Sequence, residues 1–145
     1  MPAKEFSGRY FLDTNIFVYA FDSSSPAKQR RATELIRNAL SSGQGIVSYQ
    51  VVQEFFNVAL RRFSQPLSHA EAEQYLTTVF RPLLALQSSI AIYQAALQLA
   101  GSHRLNWFDA LIVAAAQAGE CKVLYSEDLQ HGQTIGGLRI ENPFV

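Results

Sequence analysis

The sequence predicts an α/β fold, a three-layer α/β/α sandwich with a mainly parallel central sheet, on three observations. Short apolar runs alternate with segments of helical period, the pattern of βα units around a parallel sheet. The chain has 145 residues and is 48% hydrophobic, enough for one core and too short for two typical domains. There is no repeat, low-complexity tract or linker, so residues 1–145 are expected to form a single domain.

The elements follow in order. "RYFLD" reads as a buried strand, and "TNIFVYAF" as a short helix directly behind it. The next helix has its N-cap at Ser25, Pro26 at the first helical position, apolar spacing at Ala32, Leu35, Ile36 and Leu40, and a glycine stop. "GIVSYQ" is a short strand, and "VVQEFFNVALRRF" behind it is helical by period. Ser68 and Glu71 form a capping box that opens a helix expected to end before Pro82. "LLALQ" is a strand, "SIAIYQAALQLAGSHRL" a helix, and "NWFDALIVAAAQAGE" a helix so apolar after Asp109 that most of its sides are expected to be buried. "KVLYS" is a strand, and "GLRIENPF" supplies a last short strand or edge segment.

Composition removes several function classes. No apolar run approaches the roughly 18 to 20 residues of a membrane span, and the start "MPAKEFSGRY" lacks the apolar core of a signal peptide, which makes a cytoplasmic protein the expectation. The single cysteine, Cys121, can close no intramolecular disulfide and has no partner at zinc-ligand spacing. His69, His103 and His131 stand in polar loop or cap contexts, and the chain has no GxSxG, no Walker-type glycine loop and no CxxC. Formal net charge is zero, so contacts with nucleic acid would fall to local arginines such as Arg30–Arg31 and Arg61–Arg62, pairs that equally suit a solvated helix face.

The informative residues are carboxylates. The chain has four aspartates, Asp13, Asp22, Asp109 and Asp128. Asp13 follows Tyr10-Phe11-Leu12, and Asp109 lies between Trp107-Phe108 and Ala110-Leu111-Ile112. Glu54 has Val51 and Val58 as its helical neighbours and projects from an apolar face. Asp128 comes two residues after "KVLYS", where a loop leaves the carboxyl end of the sheet. A lone buried carboxylate is costly unless it is paired, hydrogen-bonded or bound to a metal, and in parallel α/β sheets the ligand crevice lies outside the carboxyl ends of the strands. Four acids from four segments can therefore converge there. Hard oxygen ligands select Mg²⁺ or Mn²⁺, and sites with one or two such ions suit hydrolysis of phosphodiesters. Taken one at a time, each acid has a plainer reading: Asp13 as a helix N-cap, Glu54 and Asp109 as salt-bridge partners of arginines, Asp128 as a turn residue. Together, three separate buried salt bridges would each carry a heavy desolvation cost. Asp22 reads as a turn or cap residue before Pro26, with cation binding at the cleft rim as its second reading.

These residues resemble the PIN-domain family, and within it the VapC-type toxin ribonucleases of toxin–antitoxin pairs. "FLDTNIFVYAFD" resembles the family's opening strand and first acidic motif, "SYQVVQEFFNV" its glutamate helix, "NWFDALIVAAA" its third motif, and "LYSEDLQHGQ" with "ENPF" its closing segment. The resemblance covers nearly the full chain. It implies a Mg²⁺- or Mn²⁺-dependent endoribonuclease, a homodimer, and a cognate antitoxin that blocks the site. It further implies that Asp13, Glu54, Asp109 and Asp128 are the metal-binding catalytic acids, with Asn15 and Ser126 in supporting positions. A short amide two residues after Asp13 can orient a ligating carboxylate. Where many members carry a second acid near the third motif, this chain has Asn106, and Glu127 beside Asp128 is not obviously inward.

Two further readings belong beside the toxin: a housekeeping RNA-processing nuclease of the same fold, and a non-catalytic module that binds a structural cation or a partner's arginine. A phosphate hydrolase of the haloacid-dehalogenase kind needs a second aspartate where this chain has Asn15. "VVQEFFNVALRRF" and "AIYQAALQLA" carry more large apolar residues than one small sheet face obviously covers, which fits either core packing or a surface for a second copy or a partner helix.

Overall fold

A computed structural model describes residues 8–145. The reading of the first residues as lacking a signal peptide rests mostly on residues outside that range. Among the described residues no helix is long and apolar enough to cross a membrane.

Six strands form one sheet: β1 (Tyr10–Leu12), β2 (Gly45–Ser48), β3 (Leu84–Leu86), β4 (Val123–Tyr125), β5 (Thr134–Ile135) and β6 (Leu138–Glu141), in the spatial order β3-β2-β1-β4-β6-β5. Every neighbouring pair is parallel except β5 with β6. β1, β2 and β4 are buried at every residue, so both faces of the central sheet are covered, as a three-layer sandwich requires. The helices are α1 (Thr14–Tyr19), α2 (Pro26–Ser42), α3 (Tyr49–Ala59), α4 (His69–Tyr75), α5 (Arg81–Leu83), α6 (Ile90–His103) and α7 (Trp107–Ala118). α7 buries Ala110 and the run Ile112 to Ala116, the apolar helix expected from its composition.

Strand order locates the crevice. From β1 the chain moves outward to β2 and β3, then returns to place β4 on the other side of β1. That reversal makes the carboxyl ends of β1 and β4 the topological switch point, where α/β sheets open a ligand cleft.

Local signals explain the element ends. Ser68 accepts from the Glu71 N–H (3.1 Å) while Glu71 Oε1 accepts from the Ser68 N–H (2.8 Å), the reciprocal cap expected for α4. α2 stops at Gly43, whose φ of 71° is the left-handed cap glycine adopts without strain. Gly45 is needed for close approach, because a Cβ there would stand 2.2 Å from the Ala39 Cβ where α2 crosses the start of β2. The helix expected to end before Pro82 instead continues through a π-helical turn, Leu76–Phe80, into α5 with Pro82 inside it. Proline has no N–H to donate and crowds the carbonyl four residues back; the widened turn accommodates both. Leu40, expected on the apolar face of α2, is 38% exposed, whereas Ala32, Leu35 and Ile36 are buried.

The apolar surplus of α3 goes into the core. Phe55 is fully buried and lies at the centre of a ring cluster, 5.1 Å from Tyr75, 5.3 Å from Phe80 and 6.4 Å from Phe17. This cluster clamps α3 to α1 and α4, which holds Glu54 relative to the residues of α1. α6 differs: Ile90 is 71% and Leu97 62% exposed. Cys121 is buried, and burial pushes its thiol up to about 12.

Candidate active site

Register brings the first two site residues together. Leu12 pairs with Tyr125 across β1 and β4, so Asp13 and Ser126, the residues leaving those strands, are neighbours. The Asp13 N–H donates to the Tyr125 carbonyl (3.0 Å), and Ser126 Oγ donates to Asp13 Oδ2 (2.8 Å). Asp13 Oδ1 accepts from the Thr14 N–H (2.7 Å), which makes Asp13 the N-cap of α1. The plain cap reading is thus correct as far as it goes. It uses one of about four acceptor positions on an ionised carboxylate, and Ser126 a second.

α1 then reaches two more acids. Thr14 Oγ1 donates to Glu54 Oε1 (2.7 Å), and Asn15 Nδ2 donates to Asp128 Oδ2 (3.1 Å). One helical turn before Glu54, Gln50 Nε2 donates to Glu54 Oε2 (3.0 Å) and to the Phe108 carbonyl (3.1 Å), tying α3 to the start of α7. Asn106 caps α7: its Oδ1 accepts from the Asp109 N–H (2.9 Å) while its Nδ2 donates to Asp109 Oδ2 (2.9 Å). Ser126 Oγ also accepts from the Asp128 N–H (3.2 Å), so one hydroxyl orients two of the acids.

Asp13, Glu54, Asp109 and Asp128 line one open cleft of about 430 Å³, together with Thr14, Asn15, Gln50, Asn57 and the apolar Val18, Val58, Phe108 and Ile112. Among the described residues no lysine, arginine or histidine lines it, and none of the four acids forms an ion pair. The salt-bridge reading of Glu54 and Asp109 therefore fails. Asp13 is only 4% exposed. Burial pushes its carboxyl up to about 7, helped by the charges of Asp128 and Glu54 and opposed by the hydrogen bonds from Ser126 and Thr14. Asp109 is raised by burial and by Asp128 and Glu54, against the pull of Asn106. Asp128 is raised by partial burial and by Glu127 and Glu54, against Asn15.

Among the described residues no three carboxylate, imidazole or thiol groups stand close enough to close on a single ion. The donor chemistry still fits a hard divalent cation: carboxylate oxygens with amides and hydroxyls beside them, and no sulfur or imidazole in the lining.

The two uncertain acids lie elsewhere. Glu127 accepts from Lys28 Nζ (2.7 Å) and the Tyr19 hydroxyl (2.7 Å); burial raises its carboxyl, but these bonds bring it below the ordinary value. Asp22 Oδ1 accepts from the Ser24 N–H (3.0 Å) and the Ser24 hydroxyl, which makes it a turn residue. Thr14 and Gln50 were not singled out in the sequence. Gln50 had a signal, since a glutamine four residues before an acid on a helix faces it. Thr14 had none, because its partner is 40 residues away.

The PIN domain model matches residues 10–134. No curated protein sequence matches. A toxin–antitoxin complex from Klebsiella pneumoniae superposes with a TM-score of 0.66 at 20% identity, covering 92% of this chain and 97% of that one. VapBC2 from Rickettsia felis, bound to a DNA fragment from its promoter, gives 0.58 at 20% identity over 91% and 96%. The Mycobacterium tuberculosis VapC20, a toxin that cleaves the sarcin–ricin loop, gives 0.56 at 17% identity over 81% and 88%. At these identities the likeness is one of fold. With 125 of its 145 residues inside the family match, from the first strand to the start of β5, the chain belongs to the PIN domain family.

Proposed function

We propose that the protein is a Mg²⁺- or Mn²⁺-dependent endoribonuclease acting as the toxin of a toxin–antitoxin pair, a cytoplasmic homodimer formed by one domain over residues 1–145. The observation that carries this reading is the cleft itself: four carboxylates facing one space with no cation among its lining residues, one of them buried and pushed up to about 7. Such an arrangement is stabilised by an ion that neutralises it. Membership of the PIN family and the fold shared with toxins of toxin–antitoxin complexes, one of which cleaves RNA, support the substrate and the partner.

Asp13, Glu54, Asp109 and Asp128 would hold the ion or ions. Bound there, a divalent cation supplies activation of water and neutralisation of the charge that develops on a phosphodiester. The chain's own residues set the geometry. Ser126 fixes Asp13 and the backbone leading to Asp128; Asn15 fixes the Asp128 side chain; Thr14 and Gln50 share Glu54 between them; Asn106 holds Asp109 against the N-terminus of α7. Every one of these donors is neutral, so each orients a carboxylate without competing with the ion for its charge. Phosphates away from the cleft would be met by exposed arginines such as Arg30, Arg61 and Arg62, which gives binding a salt dependence.

The test is a cleavage assay on single-stranded and structured RNA with Mg²⁺, Mn²⁺ or EDTA, paired with expression with and without the product of the neighbouring gene. Metal-dependent cleavage with growth arrest relieved by the neighbour is expected. Cleavage without arrest would make this a housekeeping nuclease, and metal binding without cleavage a non-catalytic module.

A further inference from the structure

We propose that a second pocket, beside the acidic cleft, binds one unpaired nucleobase of the RNA next to the phosphate that is cut; the inference rests on the ribonuclease reading above. The pocket has a volume of about 220 Å³, below the roughly 300 Å³ at which drug-sized sites begin and suited to a single planar ring system. It shares Gln50 and Phe108 with the cleft. The same Gln50 amide that donates to Glu54 Oε2 donates to the Phe108 carbonyl, so the two residues common to both hollows are bonded to each other and to a cleft carboxylate. A strand whose phosphate lies at the acids has its neighbouring base at this pocket.

The lining names the occupant. Tyr49, Tyr93, Trp107 and Phe108 contribute four aromatic rings, each more than a third exposed, and Trp107 lies stacked with Tyr93 at 6.1 Å and 30°. Aromatic faces left open to solvent are what single-stranded RNA stacks on. The polar groups among them are neutral: the amides of Gln53 and Gln87 and the hydroxyl of Ser88. Ser48 is also in the lining; its Oγ is buried, finds no partner, and does not cap α3 although Ser48 occupies the N-cap position. Among the described residues no charged side chain lines the pocket, so a phosphate or carboxylate has no counter-charge there. A purely apolar side chain from a protein would make no use of the exposed amides of Gln53 and Gln87 or of the Ser88 hydroxyl. A neutral heteroaromatic ring with donors and acceptors on its edge meets both requirements. A base can present its face and edge this way only when unpaired, which restricts cleavage to single strands or loops.

Trp107 is the only tryptophan in the chain and reports directly on stacking. The protein is titrated, in EDTA so that the strand stays intact, with a short single-stranded oligoribonucleotide and with copies carrying one abasic ribose at successive positions. Cleavage of the same strands is mapped in Mg²⁺. The intact strand is expected to quench Trp107 emission, and one abasic position, adjacent to the cut, to abolish the quenching. Tyr93→Ala is expected to weaken binding about tenfold and to raise KM with little change in kcat, the loss of one stacked base. Equal binding and quenching by intact and abasic strands would overturn the pocket, as would emission that changes with protein concentration and not with RNA, which would assign the surface to a second copy. Cleavage without quenching removes the pocket and leaves the nuclease standing. Quenching without cleavage under any metal keeps the pocket and removes the nuclease.

Discussion

Replacing Asp13 with asparagine removes the most deeply buried of the four cleft carboxylates while preserving its shape and its acceptor for the Thr14 N–H. The folded chain holds this carboxyl at about 7, against 3.8 for an ordinary aspartate. A raised value in the folded state means that the protonated form is the one folding favours. Its contribution is fully present below pH 3.8, is lost as pH rises between 3.8 and about 7, and is absent above. At 1.36 kcal/mol per pH unit that interval corresponds to at most about 4 kcal/mol, and to about 2–4 kcal/mol once local relaxation is allowed. Metal-free Asp13→Asn is therefore expected to be more stable than the wild type by about 2–4 kcal/mol at pH 8, or about 5–15 °C in Tm for a chain of this size. The two are expected to coincide near pH 4. Denaturant unfolding of both proteins in EDTA at several pH values reads the difference directly, and groups that titrate in both proteins cancel from it. Mg²⁺ is expected to close most of this gap, because an ion that binds the folded wild type more tightly than the variant adds up to about 2.7 kcal/mol at a hundred times its Kd. A variant less stable than the wild type at pH 8 in EDTA, or a difference that ignores pH, would refute the reasoning.

Other substitutions separate the site from its scaffold. Asn106→Ala removes both the α7 cap and the amide that holds Asp109, so it is expected to lower stability by about 1 kcal/mol in unfolding measurements and to slow cleavage as well. Phe55→Ala empties the centre of the ring cluster and is expected to cost about 3–5 kcal/mol, with a lower apparent metal affinity as α3 loosens from α1. Glu127→Gln removes an acid adjacent in sequence to Asp128 but committed to Lys28 and Tyr19, and the cleavage rate in Mg²⁺ is expected to stay within about twofold of wild type.

The alternation of strand and helix was readable because each central strand is buried throughout and so appears as an unbroken apolar run. Asp13 stood out for the same reason: an acid at the end of such a run contradicts its surroundings. β5 escaped notice because two residues carry no periodicity, although Gly136 and Gly137, both at positive φ, are the glycine pair a tight hairpin turn favours. The helix through Pro82 was misjudged because a local rule about proline does not anticipate that the turn before it can widen. At the cleft, Asp13, Glu54 and Asp109 were legible from their apolar settings and Asp128 from its place after a strand, while most of the neutral groups that hold them were not. Thr14 looks like an ordinary first-turn residue until α1 is seen to cross α3, a tertiary event that no local pattern encodes. Asn106 was visible only as the place where an acid was missing. It holds Asp109 with an amide instead.

The most direct test of the central claim is the rate of RNA cleavage as a function of Mg²⁺ concentration for the wild type and for Glu54→Gln, a carboxylate held by Thr14 and Gln50 at the cleft wall. The wild type is expected to cleave with a saturable metal dependence and to lose all activity in EDTA, and Glu54→Gln, folded by circular dichroism, to be slower by at least about a hundredfold. Cleavage that persists in EDTA, or a Glu54→Gln protein that keeps the wild-type rate and metal dependence, would contradict the account.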